Sequence, residues 1–167
     1  MERFLRKWLV LPILVAAMLG SGGCGQGAAE SERTVKTTTQ ETPTTTQQEG
    51  PMKIKITVGK KTVQAVLYDN EAARKLWKQL PVTYPMMNLY GREMCFRMGA
   101  GSLPTKEAKD TGYRVGDISY WPPAGSLVIL YKQNGEVFEQ QPIGHTDEDI
   151  SFFDGMPDTK ITFSKGQ

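Results

Sequence analysis

Residues 115–131 read Val115-Gly116-Asp117-Ile118-Ser119-Tyr120-Trp121-Pro122-Pro123-Ala124-Gly125-Ser126-Leu127-Val128-Ile129-Leu130-Tyr131. Residues 117–121 have strand length and end at two prolines, which cannot donate to a ladder. Residues 127–131 form an unbroken apolar run, the pattern of a strand buried on both faces. This one segment therefore predicts two strands around a Pro-Pro-Ala-Gly break, the second covered on both faces.

Upstream, Met52, Ile54, Ile56 and Val58 alternate with Lys53, Lys55 and Thr57, and Val63, Ala65 and Leu67 resume the alternation after Gly59-Lys60-Lys61. Period two with a short turn is a β-hairpin whose one face is wet. Asp69 or Asn70 can cap a helix in which Ala73, Leu76, Trp77 and Leu80 share a face, with Glu71 in the first turn, Lys75 and Lys78 nearer the end and Pro81 as the stop. Residues 82–98 read as short strands around Tyr90-Gly91, and residues 100–116 as a long loop. Downstream, Gln133-Asn134-Gly135 marks a turn, and residues 136–144 and 160–163 supply further strands. Thr146 and Asp149 have the spacing of a capping box ahead of a short helix through Phe152 and Phe153. Many short strands with one amphipathic helix predict an all-β barrel in preference to a sandwich.

The domain carrying these signals spans residues 52–167 and holds 47 apolar residues, enough for one modest core, with 15 basic against 13 acidic side chains. The whole chain carries a net charge of +2, too little for a nucleic-acid surface, which needs a concentrated basic face. One histidine and two cysteines exclude a zinc site built only from those residues. No metal or cofactor is expected.

Arg3, Arg6 and Lys7 precede an apolar run over residues 8–19, then Gly20-Ser21-Gly22-Gly23 and Cys24. A basic start, a short apolar stretch and small residues describe an export signal. Its twelve residues reach roughly 18 Å as a helix, short of the ~30 Å hydrocarbon core. Cys24 after Gly22-Gly23 resembles the lipobox of bacterial lipoproteins, in which the cysteine is lipidated and becomes the new N-terminus. Ser21 stands where that family usually carries leucine. An ordinary signal peptide cut near Ala29 is the alternative. Lipidation of Cys24 leaves Cys95 without a partner, as a buried thiol. Residues 24–51 are polar, threonine-rich and of low complexity, a disordered tether between an anchor and the domain. The expected location is the extracytoplasmic face of a membrane.

Residues 115–131 also resemble a bacterial cyclophilin-like family of small barrel proteins, through a GDI-Y-aromatic-x-P-x-G-x-L-x-I-x-Y pattern. The opening hairpin, the helix ending in Leu80-Pro81-Val82-Thr83, and Pro142-Ile143-Gly144 stand in the expected order. The resemblance implies a closed eight-stranded barrel with one amphipathic helix and a short second helix. It does not carry prolyl isomerase activity with it. The Phe-His-Arg segment and the Phe-x-x-Gln-Gly-Gly stretch of true cyclophilins are both missing.

Isomerising an X–Pro bond needs an apolar pocket and a donor that weakens amide resonance. Arg97, beside Phe96 and Met98, is a weak candidate for that donor, with Tyr120 or Trp121 as a wall. A surface arginine is the simpler reading. Tyr120 and Trp121 are adjacent in a strand, so they point oppositely and at least one belongs to the core. His145 is the one imidazole available near neutrality. No nucleophile motif accompanies it, and a hydrogen-bonded loop histidine is favoured. Asp147, Glu148, Asp149, Asp154 and Asp158 do not have EF-hand spacing.

Three functions follow as expectations. The first is a non-catalytic module that binds a peptide or small ligand through Phe96, Met98, Tyr120, Trp121 and His145. The second is a degenerate prolyl isomerase, and the third a structural lipoprotein with an envelope-protein partner. Palmitate labelling of the expressed chain is expected to mark Cys24 and to vanish in Cys24→Ser. An unlabelled mature chain beginning near Glu30 is the outcome of the ordinary-signal alternative.

Overall fold

In the computed structural model, which describes residues 50–167, the alternating segments pair as period two requires. The leader, Cys24 and nearly all of the tether lie outside the described residues. Strands β1 (Met52–Val58) and β2 (Lys61–Leu67) form the opening hairpin, with Ile54 opposite Ala65 and Ile56 opposite Val63. The remaining strands are β3 (Val82–Leu89), β4 (Glu93–Arg97), β5 (Lys109–Thr111), β6 (Asp117–Trp121), β7 (Ser126–Leu130), β8 (Phe138–His145) and β9 (Thr159–Lys165). They run β2-β1-β9-β3-β4-β7-β6-β8, and β8 returns to β2. The result is a closed, antiparallel, eight-stranded barrel, with β5 hydrogen-bonded to the outer edge of β8.

Every second side chain enters the barrel. Ile54, Ile56, Met94, Ile118, Tyr120, Leu127, Ile129, Ile143, Ile161 and Phe163 are all fully or almost fully buried in one apolar cluster. Removing a Leu, Ile or Phe side chain from water is worth about 1.5–3 kcal/mol, so this interior is the main term opposing chain entropy. Helix α1 (Glu71–Gln79) follows Leu67 and lays Ala72, Ala73 and Leu76 on that cluster. Phe153 enters from the opposite mouth, where Lys61 Nζ lies over the neighbouring Phe152 ring at 4.4 Å.

One local reading is decided and three change. Of the two cap candidates, Asn70 caps α1: its Oδ1 accepts from the Ala73 N–H at 2.8 Å, and its Nδ2 donates to the Pro142 carbonyl of β8 at 2.9 Å. The 100–116 loop contains β5, whose Lys-Asp-Thr sequence has no apolar face to announce a strand. The Gln140 amide holds it by donating to the Thr111 and Gly112 carbonyls. The β8 strand starts at Phe138, because the Gln133 and Asn134 side chains bond the backbone N–H groups of Gly135 and Glu136 instead. The second helix is a single 3₁₀ turn, Ser151–Phe153. Thr146 does not start it, since its hydroxyl donates to the Gln64 carbonyl at 2.6 Å, while Asp149 accepts from the Ser151 N–H.

The Pro-Pro-Ala-Gly break is a 3₁₀ turn over Pro122–Ala124, and Gly125 ends it at φ 62°. A Cβ there would lie 1.9 Å from the Gly99 carbonyl carbon. Only glycine lets the turn sit against the end of β4, where the Gly125 carbonyl accepts from Met98 and Gly99.

Asn70→Ala removes a helix cap and a helix-to-barrel bond together. It is expected to cost about 2 kcal/mol in urea unfolding, near the sum of a lost cap and one lost hydrogen bond.

Candidate functional site

Alternation on β4 puts Met94 and Phe96 inside and Glu93, Cys95 and Arg97 outside. The register aligns Cys95 with Val128 and Arg97 with Ser126 on β7, and Ser126 in turn with Trp121 on β6. Antiparallel neighbours in register share a face, so these side chains form a patch on the outer wall. Part of the patch is covered: Cys95, Val128 and Leu130 are buried beneath Tyr113 and Phe138, with Met87 and Leu89 alongside. This outer layer is what buries β7 on both faces. Where the cover ends, a recess of about 250 Å³ opens, lined by Leu89, Tyr90, Arg92, Glu93, Cys95, Arg97, Trp121, Ser126, Val128, Glu136 and Phe138.

One end of the recess is an ion cluster. Arg92 Nε donates to Glu93 Oε2 at 3.2 Å, and the same guanidinium bonds Glu136. Its charge also lies 5.1 Å from the Phe138 ring centroid and 5.4 Å from that of Tyr90. Burial disfavours the Arg92 charge, but Glu93 and Glu136 outweigh it and hold Arg92 firmly as a cation. The pKa of Glu93 is raised as well: burial is the largest cause and outweighs the pull of Arg92, and Glu136 adds a smaller push in the same direction. Burial likewise pushes the Cys95 thiol up, so it remains protonated and a poor nucleophile at neutral pH.

The other end holds Arg97, Ser126 and Trp121. Trp121 is 37% exposed, while Tyr120, one residue away, is wholly buried. The Tyr120 hydroxyl donates to the Gly99 carbonyl at 2.8 Å and accepts from the Ser102 N–H at 3.1 Å.

The structure thus brings Arg97 and Trp121 together and separates them from the other residues singled out in the sequence. Phe96 points into the barrel and stacks on Tyr84 at 4.3 Å. Met98 packs against the same interior. His145 sits at the end of β8, with Nδ1 2.8 Å from Asp117 Oδ1 and Nε2 3.1 Å from Asp147 Oδ1. Both its nitrogens are occupied in joining β6, β8 and the loop after it.

The acidic loop residues are occupied too. Glu148 accepts from the Gln64 N–H, Asp158 from the Asn88 N–H, and Asp154 pairs with Lys132. Among the described residues no three acidic, histidine or cysteine side chains are grouped to hold a metal.

Sequence reasoning missed Tyr90, Arg92, Glu93, Glu136 and Phe138. A signal for one of them existed: Glu93 shares the outward stripe of its strand with Cys95 and Arg97, so an acid and a base flank a thiol on one face. The structure alone shows that Tyr90, in the Tyr90-Gly91 turn, adopts φ 54°, a strained setting for a large side chain.

A family model described as the cyclophilin-like family matches residues 56–164. The solution structure of the hypothetical protein AF2241 from Archaeoglobus fulgidus is similar, with a TM-score of 0.54 at 17% identity, covering 70% of this chain and 95% of that one. At that identity the likeness concerns the fold alone. No curated protein matches the chain.

The Glu93 environment has a measurable consequence. Its folded pKa lies above the unfolded value of about 4.3, so the native state holds the proton to higher pH. The stability this contributes is fully present below the unfolded pKa and is lost as pH rises through the raised folded pKa. Urea unfolding followed upward from pH 4 is expected to show that decline, and Glu93→Gln to flatten it.

Proposed function

The chain belongs to the cyclophilin-like family, and from that premise we propose that its barrel is a non-catalytic binding module. The β4–β7–β6 recess takes a small ligand or one side chain of a peptide. The observation carrying this reading is the partial outer layer: at its edge Leu89, Phe138 and the exposed Trp121 wall an apolar recess that ends at the Arg92 cluster. A concave, mostly apolar site with a few polar groups at its rim is the general form of a ligand site.

The isomerase alternative deserves its test because Arg97 and Trp121 do share the recess. Amide polarisation, however, needs a donor fixed in advance. The Arg97 side chain is exposed and makes no hydrogen bond or ion pair among the described residues. An unanchored guanidinium spends little time in one productive geometry. This favours binding over catalysis.

The leader, Cys24 and the threonine-rich tether extend the proposal to a lipid-anchored module on the extracytoplasmic face of a membrane. Its partner there is a peptide, a small molecule or another envelope protein, with no role for nucleic acid.

Two measurements decide between the readings. A protease-coupled proline-peptide assay is expected to show no acceleration over the uncatalysed rate at micromolar protein. Acceleration that disappears in Arg97→Ala would establish the isomerase instead. A fragment titration followed by amide resonances is expected to shift Cys95, Trp121 and Val128, and Trp121→Ala to weaken the binding about tenfold, as loss of a stacking anchor does. Shifts confined to other faces of the barrel would refute the site.

A further inference from the structure

We propose that the ligand of this recess carries a carboxylate beside a compact apolar body, and that Arg97 receives the carboxylate. The inference rests on the binding reading and sharpens it to a chemical class.

The charges around the recess are unequally matched. Arg92 lies between Glu93 and Glu136, so the two acids at that end share a cation. Arg97, four residues along β4, lines the recess with no carboxylate partner among the described residues. Its cross-strand neighbour Ser126 is buried, and Trp121 beyond Ser126 adds an exposed ring. A guanidinium offers a planar fork of donors whose best partner is a carboxylate.

The middle of the recess makes no such demand. Its reachable apolar surface is Leu89, Phe138 and Trp121, with Cys95 and Val128 buried beneath, and it is satisfied by an apolar group alone. The far end carries two acids for one arginine and repels a second anion. One negative group at the Arg97 end, with an apolar body against Trp121, Phe138 and Leu89, matches this arrangement. A dianion spanning the recess does not, and neither does a cation placed at Arg97. The volume of about 250 Å³ falls below the ~300–1,000 Å³ of drug-sized sites. The body is therefore one ring or one branched side chain.

Two sources present this chemistry: a free arylalkyl or branched carboxylic acid, and the C-terminus of a peptide ending in an apolar residue. The test titrates the full chain, by calorimetry and amide resonances, with four probes: 3-phenylpropanoate, 3-phenylpropanamide, N-acetyl-Ala-Phe acid and N-acetyl-Ala-Phe amide.

Each acid is expected to bind about tenfold more tightly than its amide, the scale of one charge-assisted pair. Arg97→Gln should erase that difference, and Arg97→Lys should restore it in part. The side chain is exposed, so an unchanged resonance dispersion separates lost recognition from lost folding. Tighter binding of the peptide acid assigns the C-terminus as the source, and tighter binding of phenylpropanoate assigns the free acid. Either result supports the proposal. Equal affinity of acid and amide, with shifts still at Cys95 and Val128, overturns the carboxylate inference and leaves the binding site standing. No binding of any probe at millimolar concentration overturns both.

Discussion

The seam between β2 and β8 is only two residue pairs long, Val66 with His145 and Leu67 with Gly144, yet the rest of the molecule depends on its being made. A Cβ on Gly144 would lie 2.5 Å from the Val66 carbonyl oxygen, so a side chain at this position would hold the strands apart. Neighbouring bonds extend the short ladder: Tyr68 N–H to the Ile143 carbonyl, the Thr146 hydroxyl to Gln64, and the Asn70 amide to Pro142. Closure removes the two open edges that an eight-stranded sheet would otherwise expose, and encloses a single interior.

Once the barrel is closed, inside and outside become distinct solvents for the same strand. On β4, Met94 and Phe96 join the interior while Glu93, Cys95 and Arg97 face out, and the outer face is only partly roofed by Tyr113 and Phe138. The roof makes β7 apolar on both sides. Its incompleteness makes the recess. The Arg92 cluster stands at the boundary, where a buried cation needs two acids and aromatic faces to offset its lost hydration. The recess is thus a property of the outer wall, while the interior serves stability.

The two residues with the most chemical promise on paper end in different roles. His145 looks like an acid–base group, but both its ring nitrogens face carboxylates, Asp117 and Asp147, and it serves as a joint between elements. Gly116 beside it packs so closely that a Cβ would lie 2.1 Å from the Thr146 carbonyl oxygen, so the glycine of the GDI motif is likewise architectural. Arg97 looks like an ordinary surface cation, and it is the one that meets an aromatic in a recess.

Alternation in residues 52–67, the amphipathic helix after Asp69-Asn70 and the continuous apolar run of residues 127–131 were legible because each is a local pattern of its own strand or helix. They were sufficient for an all-β barrel with one helix. Within the candidate site, the opposite orientations of Tyr120 and Trp121 followed from the same rule. What local pattern could not supply was register across strands distant in the chain. The meeting of Arg97 with Trp121 depends on Ser126 pairing with both. The roof over Cys95 depends on Phe138, more than forty residues away, being carried there by β8. Period two tells which face of its own strand a side chain takes. Only the closed sheet determines which side chains from other strands share that face, because hydrogen-bond register is set between segments rather than within them.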